Sequence, residues 1–412
     1  MAVRVAVVGL GWAARTIWIP RLQAHPDITL TAVVDPDPAA RAAFADGIAA
    51  GAAGAAGAAG AAGAGEAADG TAGADRPAVL ASSDELTADR VDLAIVAVPN
   101  HAHARISARL LRRGIPVFLE KPVCLSTAEA DELAAAEHAG APLIAGSAAR
   151  YRADVRVLHD LLPTLGPIRH VRLAWVRSRG VPATRWFTRR DTAGGGALLD
   201  LGWHLLDTAL PLLGAEPVTF SDVVGVIGHD FVSRAAAHAR WREDLDELDE
   251  LDGIDELDGV DGLGTARAQD VEDTARAFLV TDGGVSVSVH ASWASHAEYD
   301  TTLIEVHGGA GVAELLCTFG FSPNRRGAPT LVVHRGGVAE AVPLPAEPVG
   351  AEYDRQVDAL PALLADPGAR GRAVRAARTT IGVIERVYAH ADLLAATGSS
   401  SNTGRPSVWV SS

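Results

Sequence analysis

The first third of the chain alternates short apolar runs with helix-like stretches. Apolar runs short enough to be strands cover residues 3–8, 29–34, 93–98, 116–119 and 142–145. Helical character is found at residues 13–24, 102–113 and 127–138, and the last stretch begins after Ser126, an N-cap residue with Glu129 three positions on. Strands that alternate with helices form a parallel, doubly wound sheet, and strands covered on both faces are apolar throughout. The pattern therefore predicts an α/β domain over residues 1–146.

After residue 146 the pattern changes. A helix-like stretch at 151–162 precedes segments in which apolar and polar residues alternate: 169–177, 218–226, 276–281, 285–290, 302–307 and 330–334. Such alternation is typical of strands with one buried face, so we predict an α+β domain with a large open, mainly antiparallel sheet over residues 147–396. Residues 352–395 have a helical pattern and close this domain, and residues 397–412 are expected to form a flexible tail.

Two segments fit neither pattern and are predicted to be insertions, at about 47–76 and 243–270. The first contains repeated Gly-Ala-Ala triplets, which bury no face and indicate a flexible surface segment. The second holds eleven carboxylates between residues 243 and 261, which suit either Ca²⁺ binding or a solvated acidic loop. The EF-hand pattern requires acids at alternate positions, whereas Leu245, Leu248 and Leu251 interrupt them at threes, which favours the loop.

Length and composition exclude several classes of protein. A chain of 412 residues with 48% hydrophobic and 21% charged residues is long enough for two globular domains. The net charge of −15 comes mostly from the acidic segment, and no basic surface for nucleic acid or an anionic membrane is indicated. No signal-peptide pattern or long apolar segment is present, which predicts a cytoplasmic protein. Cys124 and Cys317 lack metal-ligand spacing, so we expect inert core thiols and no metal site.

A glycine-rich turn joins the first predicted strand to the first helix. It contains Gly9, Gly11, Trp12 and Ala14, and it matches the G-x-G-x-x-G/A fingerprint of dinucleotide-binding domains. The first glycine permits a tight turn, the second lets the backbone approach a pyrophosphate, and the small third residue allows the helix to pack on the strand. Asp35 ends the second strand, where a carboxylate binds the ribose hydroxyls and repels a 2′-phosphate. The sequence therefore predicts a Rossmann domain that binds NAD, with NADP less favoured; a tight turn without a ligand is the alternative.

Two further loops leave strands at the same edge of the predicted sheet. Pro99, Asn100 and His103 are expected to contact the cofactor, although Asn100 is equally well explained as a helix N-cap. Lys121 is the only lysine among 36 basic residues, which reflects either chance or a need for a compact ammonium group. Beside a nicotinamide, that ammonium stabilises charge on the reacting oxygen. Glu120, which we place with the cofactor-binding residues, is expected to hold the lysine in position.

A second glycine loop, residues 194–196, precedes a helix that carries three polar residues. Asp200, His204 and Asp207 are spaced by four and three residues, so we expect them to lie on one helical face. A histidine of near-neutral pKa exchanges a substrate proton, and a carboxylate at that spacing orients its ring. A histidine satisfied inside the core is the alternative explanation.

Taken together, the fingerprint, Glu120-Lys121-Pro122 and the Gly-Gly-x-x-x-Asp-x-Gly-x-His segment resemble the Gfo/Idh/MocA oxidoreductase family over roughly residues 3–395. The resemblance implies a Rossmann domain followed by an open antiparallel sheet that binds substrate and pairs subunits into a homodimer or homotetramer. It implies that Lys121-Pro122 is a cis bond and that the catalytic residues are Lys121, Asp200 and His204. Matching positions line the family's substrate pocket, and we group as substrate-binding the residues Arg150, Tyr151, Trp186 and Asp207.

These features predict an NAD(P)-dependent oxidoreductase that interconverts a secondary alcohol and a ketone on a sugar, nucleotide sugar or cyclitol, the polyol substrates that the resemblance implies. In oxidation, His204 accepts the hydroxyl proton with help from Asp200, and Lys121 steadies the forming carbonyl oxygen. Two alternatives stay open. One is internal redox chemistry with tightly held NAD, such as glycoside cleavage or epimerisation, and the other is a sensor that binds dinucleotide without turnover.

Overall fold

The computed structural model describes residues 2–47, 76–182, 184–214, 217–234, 237, 239 and 270–398. Nearly all of both predicted insertions lies outside the described residues, as does the tail from residue 399 onward.

The first sheet has six parallel strands in the order β3-β2-β1-β4-β5-β6. Their bounds are β1 Val3–Val8, β2 Ile28–Val34, β3 Ala78–Leu80, β4 Leu93–Val96, β5 Val117–Leu119 and β6 Leu143–Ala145. This confirms the predicted doubly wound sheet. The strand order reverses between β1 and β4, and ligands of such sheets bind at the carboxyl edge beside this reversal.

The helices of this domain lie where the sequence places them, with local differences in type. A π-helical turn, Ala13–Trp18, runs into the α-helix Ile19–Ala24, and a 3₁₀ turn, Asn100–Ala102, runs into His103–Arg112. The remaining helical segments are 38–47, the 3₁₀ turn Ser83–Glu85 and the helix Thr127–Ala139. Ser126 caps the last helix by accepting a hydrogen bond from the Glu129 amide at 3.1 Å, as predicted.

The second sheet has eight strands in the order β14-β13-β12-β11-β7-β10-β9-β8. Their bounds are β7 Ile168–Val176, β8 Phe220–Gly228, β9 Thr274–Thr281, β10 Ser286–Ser292, β11 Thr301–Gly308, β12 Val312–Cys317, β13 Thr330–Arg335 and β14 Val338–Val342. All neighbours are antiparallel except β7 and β10, so the mainly antiparallel prediction is confirmed. The sequence analysis missed β12 and also β14, whose side chains are almost all exposed and therefore show no hydrophobic alternation.

The helical segments of the second domain precede or follow this sheet. They are Ala148–Tyr151, Ala153–Leu161, Leu162–Leu165, Arg185–Thr188, Arg190–Ala193, the π-helical turn Leu198–Gly202, Trp203–Ala209, Leu210–Leu212, Ala351–Ala365, Pro367–Ala369 and Arg372–Gly398. The predicted helical region at 352–395 is therefore interrupted near Pro367. The last helix includes Thr397, the first residue of the predicted tail.

One hydrophobic core runs through both domains. Val8 and Leu119 of the first sheet belong to the same buried cluster as Val289 of the second, together with Ile381 and Ile384 of the C-terminal helix. Since that helix packs on β8 and on Thr127–Ala139, it fixes the two sheets relative to each other. No helix in the described part of the chain combines the length and the apolar character needed to span a membrane.

Candidate active site

The glycine turn after β1 has the geometry that a bound pyrophosphate requires. Gly9 has a φ of 93°, and a Cβ atom there would lie 2.4 Å from the Ala97 carbonyl oxygen, so only glycine fits. A Cβ on Gly11 would meet no atom within 4 Å, which leaves the backbone open to a ligand. Ala14 is fully buried against the first sheet. These residues fit a dinucleotide, whose phosphates they would hold at the start of the following helix.

The carboxylate of Asp35 is anchored beside this turn. Its two oxygens accept hydrogen bonds from the amides of Leu10 at 2.7 Å and Asp37 at 2.8 Å. A carboxylate oxygen has more than one acceptor site, so Asp35 retains capacity for ribose hydroxyls. The guanidinium of Arg41 lies next to it and donates to the carbonyl oxygens of Asp35 and Pro36 at 2.6 and 2.9 Å.

The remaining residues predicted to contact the cofactor mainly join parts of the fold. Trp12 meets Phe321 of the second domain edge to face, with ring centroids 5.8 Å apart. Asn100 is buried and donates from Nδ2 to the Ala193 carbonyl oxygen at 2.9 Å, so it connects the domains rather than capping the helix; Pro99 occupies the cap position. Cofactor contacts by these residues stay predictions.

His103 is buried below the loop that carries the lysine. Its Nδ1 lies 2.7 Å from the carbonyl oxygen of Pro122, and its Nε2 lies 2.8 Å from that of Val98. Burial lowers the pKa of His103 to about 4, so the ring is neutral and has one N–H to donate. Since both ring nitrogens face backbone, the predicted cofactor contact has no free ring nitrogen to use.

Glu120 positions the segment in which Lys121 lies. Its carboxylate accepts hydrogen bonds from the Trp18 indole at 2.8 Å and from the Lys121 amide at 3.0 Å. Burial raises the pKa of Glu120 above its usual range. The Lys121-Pro122 bond is cis, as the resemblance implied.

An ion pair across the two domains forms the centre of the site. The Nζ of Lys121 lies 2.6 Å from Oδ1 of Asp200, and the Trp293 indole donates to Oδ2 of Asp200 at 2.9 Å. Burial disfavours the charged form of Asp200, but the positive charges of Lys121 and Arg177 outweigh it and hold the Asp200 pKa well below its usual range. The ionised carboxylate holds the Lys121 ammonium in place, and the ammonium has further N–H groups that can donate a hydrogen bond to a substrate oxygen.

His204 lies one helical turn after Asp200, and its ring packs against Trp175 with centroids 5.5 Å apart. Burial, followed by the positive charge of Lys121, lowers the pKa of His204 to about 3, so the imidazole is neutral at physiological pH. Both oxygens of Asp200 accept hydrogen bonds from Lys121 and Trp293, and an orienting contact between Asp200 and this ring stays a prediction. Among the described residues no hydrogen bond reaches the His204 ring, which leaves it free to accept a proton.

Two of the predicted substrate-binding residues bind each other. The Arg150 guanidinium donates hydrogen bonds to the Asp207 carboxylate at 2.7 Å and to the Asp207 backbone carbonyl oxygen at 3.0 Å. Both side chains are largely buried. Tyr151 lies beside this pair, and burial raises its pKa. Trp186 is connected to the ion pair through ring contacts with Phe187, which in turn lies against Trp293. Substrate contact by these residues stays a prediction.

The second glycine loop is held by a buried carboxylate that sequence analysis missed. Glu272 accepts hydrogen bonds from the amides of Gly196 at 3.0 Å and Leu198 at 2.9 Å, and from the Tyr388 hydroxyl at 3.0 Å. Burial raises the pKa of Glu272. These contacts fix the start of the π-helical turn that carries Asp200, and π-helical turns are frequent at functional sites.

Replacing Gly196 with alanine is expected to destabilise the protein, because the new Cβ would lie 1.8 Å from the Glu272 carbonyl oxygen. Overpacking of this kind costs about 3 kcal/mol or more once hydrogen bonds to the buried carboxylate are also weakened. Thermal unfolding of the variant measures this. Gly47→Ala is the matched control, since its Cβ would meet no atom within 4 Å. An unchanged melting temperature for Gly196→Ala would contradict the packing described here.

Two family models match the chain in order. The model described as an oxidoreductase family with an NAD-binding Rossmann fold matches residues 3–146, and the GFO/IDH/MocA C-terminal domain model matches residues 163–314. A relative from Amycolatopsis mediterranei (strain S699) is 52% identical over 392 residues, or 95% of this chain and 96% of that protein. The chain belongs to the Gfo/Idh/MocA oxidoreductase family. As a Gfo/Idh/MocA protein it has an NAD(P)-binding Rossmann domain and is an enzyme of the dehydrogenase and reductase type.

Other Gfo/Idh/MocA proteins extend this comparison. The relative from Amycolatopsis mediterranei has the provisional name UDP-kanosamine synthase oxidoreductase subunit. The dTDP-3,4-didehydro-2,6-dideoxy-alpha-D-glucose 3-reductase of Streptomyces antibioticus is 29% identical over 217 residues, 52% of this chain and 57% of that protein. The structure of KijD10, a 3-ketoreductase from Actinomadura kijaniata in complex with NADP and TDP-benzene, has a TM-score of 0.67 at 20% identity, covering 95% of this chain and 98% of that chain. This last likeness shows the shared fold alone.

Proposed function

We propose that the protein transfers a hydride between NAD and a secondary hydroxyl of a nucleotide-linked hexose, interconverting the alcohol and the ketone. The observation that carries the chemistry is the Lys121–Asp200 ion pair at 2.6 Å beside the neutral imidazole of His204. A donor and an acceptor of protons thus lie together at the sheet edge where the fingerprint turn would hold the dinucleotide. When bound, the nicotinamide supplies the acceptor or donor of the hydride.

In the oxidation direction, each of the three residues has a separate role. His204 accepts the hydroxyl proton of the substrate at one of its ring nitrogens. The Lys121 ammonium donates a hydrogen bond to the same oxygen as it becomes a carbonyl, and Asp200 holds that ammonium in position. In reduction, His204 returns the proton and Lys121 polarises the ketone.

The substrate class comes from the relatives rather than from the site. The relative at 52% identity is named for UDP-kanosamine, an amino sugar, and the 29% identical relative is named as a 3-reductase of a dTDP-sugar. Placing an amine on a carbon that bears a hydroxyl requires a ketone first. We therefore propose oxidation as the working direction and a UDP-hexose as the substrate, with a partner protein consuming the ketone.

Asp35 is proposed to select NAD over NADP, and its replacement with serine is expected to reverse that preference. Removing the carboxylate removes both the ribose contact and the repulsion of a 2′-phosphate, and Arg41 is already within reach of that position. We expect KM for NAD to rise by about tenfold or more, the loss of one charge-assisted hydrogen bond. Steady-state kinetics with both cofactors measure this, with the exposed Asp27→Ser as control. An unchanged cofactor ratio in Asp35→Ser would contradict the assignment.

The experiment that tests the function follows NADH formation with purified protein and a panel of UDP-hexoses, dTDP-hexoses, free hexoses and cyclitols. Turnover that requires the nucleotide supports the proposal. Turnover of free sugars or cyclitols alone would overturn the substrate class. Cofactor that copurifies with the protein, together with product formed without net NADH, would instead indicate internal redox chemistry.

A further inference from the structure

A cavity of 670 Å³ lies in the second domain, beside the residues that follow β7 and β10. Its wall includes Arg179, Phe231, Arg234, His296 and Glu298. None of these residues was singled out by the sequence, and the mechanism above does not use them.

Two paired segments connect the cavity wall to the residues around the ion pair. Past the end of β7, the Arg177 amide donates to the Ser292 carbonyl oxygen at 2.9 Å, and Arg179 forms a β-bridge with Ala294. Trp293, which binds Asp200, lies between these two pairings. The chain positions that line the cavity therefore begin two residues beyond those that contact the catalytic carboxylate.

Three arginines along these segments and the cavity wall form no ion pair with a described carboxylate. Among the described residues, no carboxylate forms an ion pair with Arg177, Arg179 or Arg234. The Nε of Arg177 is buried without a hydrogen-bond partner, and its guanidinium lies over the Trp175 ring at 5.2 Å, on the ring that also packs against His204. The guanidinium groups of Arg179 and Arg234 lie in the wall of one cavity without an ion-pair partner, and such groups suit an anionic ligand.

An aromatic ring stands at the outer part of the cavity. Arg234 lies over Phe231 at 5.3 Å, and the His296 ring meets Phe231 edge to face at 5.6 Å. A flat ring beside a guanidinium group suits a nucleobase next to phosphate groups, because bases stack on aromatic side chains and guanidinium groups bind phosphate oxygens in pairs.

We propose that this cavity binds the nucleoside diphosphate of the substrate, with Arg179 and Arg234 at the phosphates and Phe231 against the base. The proposal rests on the proposed function, since it places the nucleotide where the hexose would reach Lys121 and His204. The charge is complementary: two arginines of the cavity wall would face a diphosphate, and Glu298 is the carboxylate among the described lining residues.

The test measures binding of UDP alone, by calorimetry, to the NAD-loaded full-length protein. We expect wild type to bind UDP and the variants Arg179→Ala and Arg234→Ala each to weaken it by at least about tenfold. Arg375→Ala is the matched control, an exposed arginine of the C-terminal helix that does not line the cavity. Inorganic pyrophosphate is expected to bind more weakly than UDP by at least about tenfold, because it has no base to stack on Phe231.

The outcomes separate this proposal from the proposed function. If UDP binds and depends on Arg179 and Arg234 while no sugar is turned over, the cavity assignment holds and the reaction assignment fails. If UDP-hexose is turned over but UDP neither binds nor competes, the cavity assignment is overturned. If Arg375→Ala weakened UDP binding as much as the cavity variants do, the effect would not come from the cavity, and the assignment would be overturned. Pyrophosphate that bound as tightly as UDP would also overturn it, because binding would then not depend on the base.

Discussion

Replacing Lys121 with methionine is expected to lower kcat by about 10³-fold while cofactor binding stays within a factor of about two. Methionine keeps the length and the packing of the side chain but removes the only ammonium in contact with Asp200. The forming carbonyl oxygen then lacks its hydrogen-bond donor. Turnover measured at saturating substrate, with cofactor affinity followed by tryptophan fluorescence, separates loss of chemistry from loss of the fold.

The sequence offers a second, chemical form of this test. Lys121 is the only lysine, so reductive methylation of the native protein changes one side chain and the amino terminus. We expect methylation to inactivate wild type and to leave the residual activity of Lys121→Met unchanged, because the variant has no side-chain amine left to modify. A variant that retains more than about a tenth of wild-type kcat would show that Lys121 is not the donor.

Replacing His204 with asparagine is expected to reduce kcat for alcohol oxidation by about 10² to 10⁴-fold. Asparagine keeps a polar side chain of similar size but accepts no proton at these pH values. The exposed His138→Asn on the helix Thr127–Ala139 serves as the control. If kcat were lost in Lys121→Met but changed little in His204→Asn, the histidine would not be the base.

The pH dependence of kcat/KM, compared between wild type and His204→Asn, is a second test of the role of this histidine. In the proposed mechanism the neutral imidazole is the base, and the His204 pKa is lowered to about 3, so we expect protonation to remove activity only in that acidic range. We expect kcat/KM for oxidation to stay level from neutral pH down to about pH 5, whereas an unperturbed histidine would cause a fall near its ordinary pKa of about 6.5. A fall near that ordinary value which disappears in His204→Asn would contradict the buried, uncharged environment described for this ring.

Much of the fold was predictable because hydrophobic patterns decide it. β1 spans Val3–Val8 as the apolar run indicated, and the change to alternating segments marked the second sheet. β3 was missed because its residues are largely exposed and it follows the predicted insertion. β14 was missed because an exposed edge strand carries no alternation for the sequence to show. The strands that sequence reasoning finds bury one face or both, although β12 also buries alternate residues and was missed.

Site residues that belong to a sequence motif could be predicted. Contacts between residues far apart in the chain could not. Lys121 and Asp200 came from separate motifs, and the structure brings them to 2.6 Å. Their pairing was not foreseen, because spacing along a helix suggested His204 as the partner of Asp200. Glu272 lies 76 positions from Gly196, so nothing local marked it as the anchor of the glycine loop. Trp293 and the arginine-lined cavity were missed for the same reason.

The division of the ion pair between two domains limits how such enzymes can be recombined. Lys121 comes from the nucleotide-binding half and Asp200 from the other half, and the Asn100 bond to Ala193 crosses the same boundary. In a chimera that joins the first domain of one relative to the second domain of another, the lysine and the aspartate of the site would come from different parents. The boundary between the parents would therefore run through the site and not through an inert linker. Domain exchange would therefore transfer substrate preference only between parents whose lysine and aspartate meet in the same geometry.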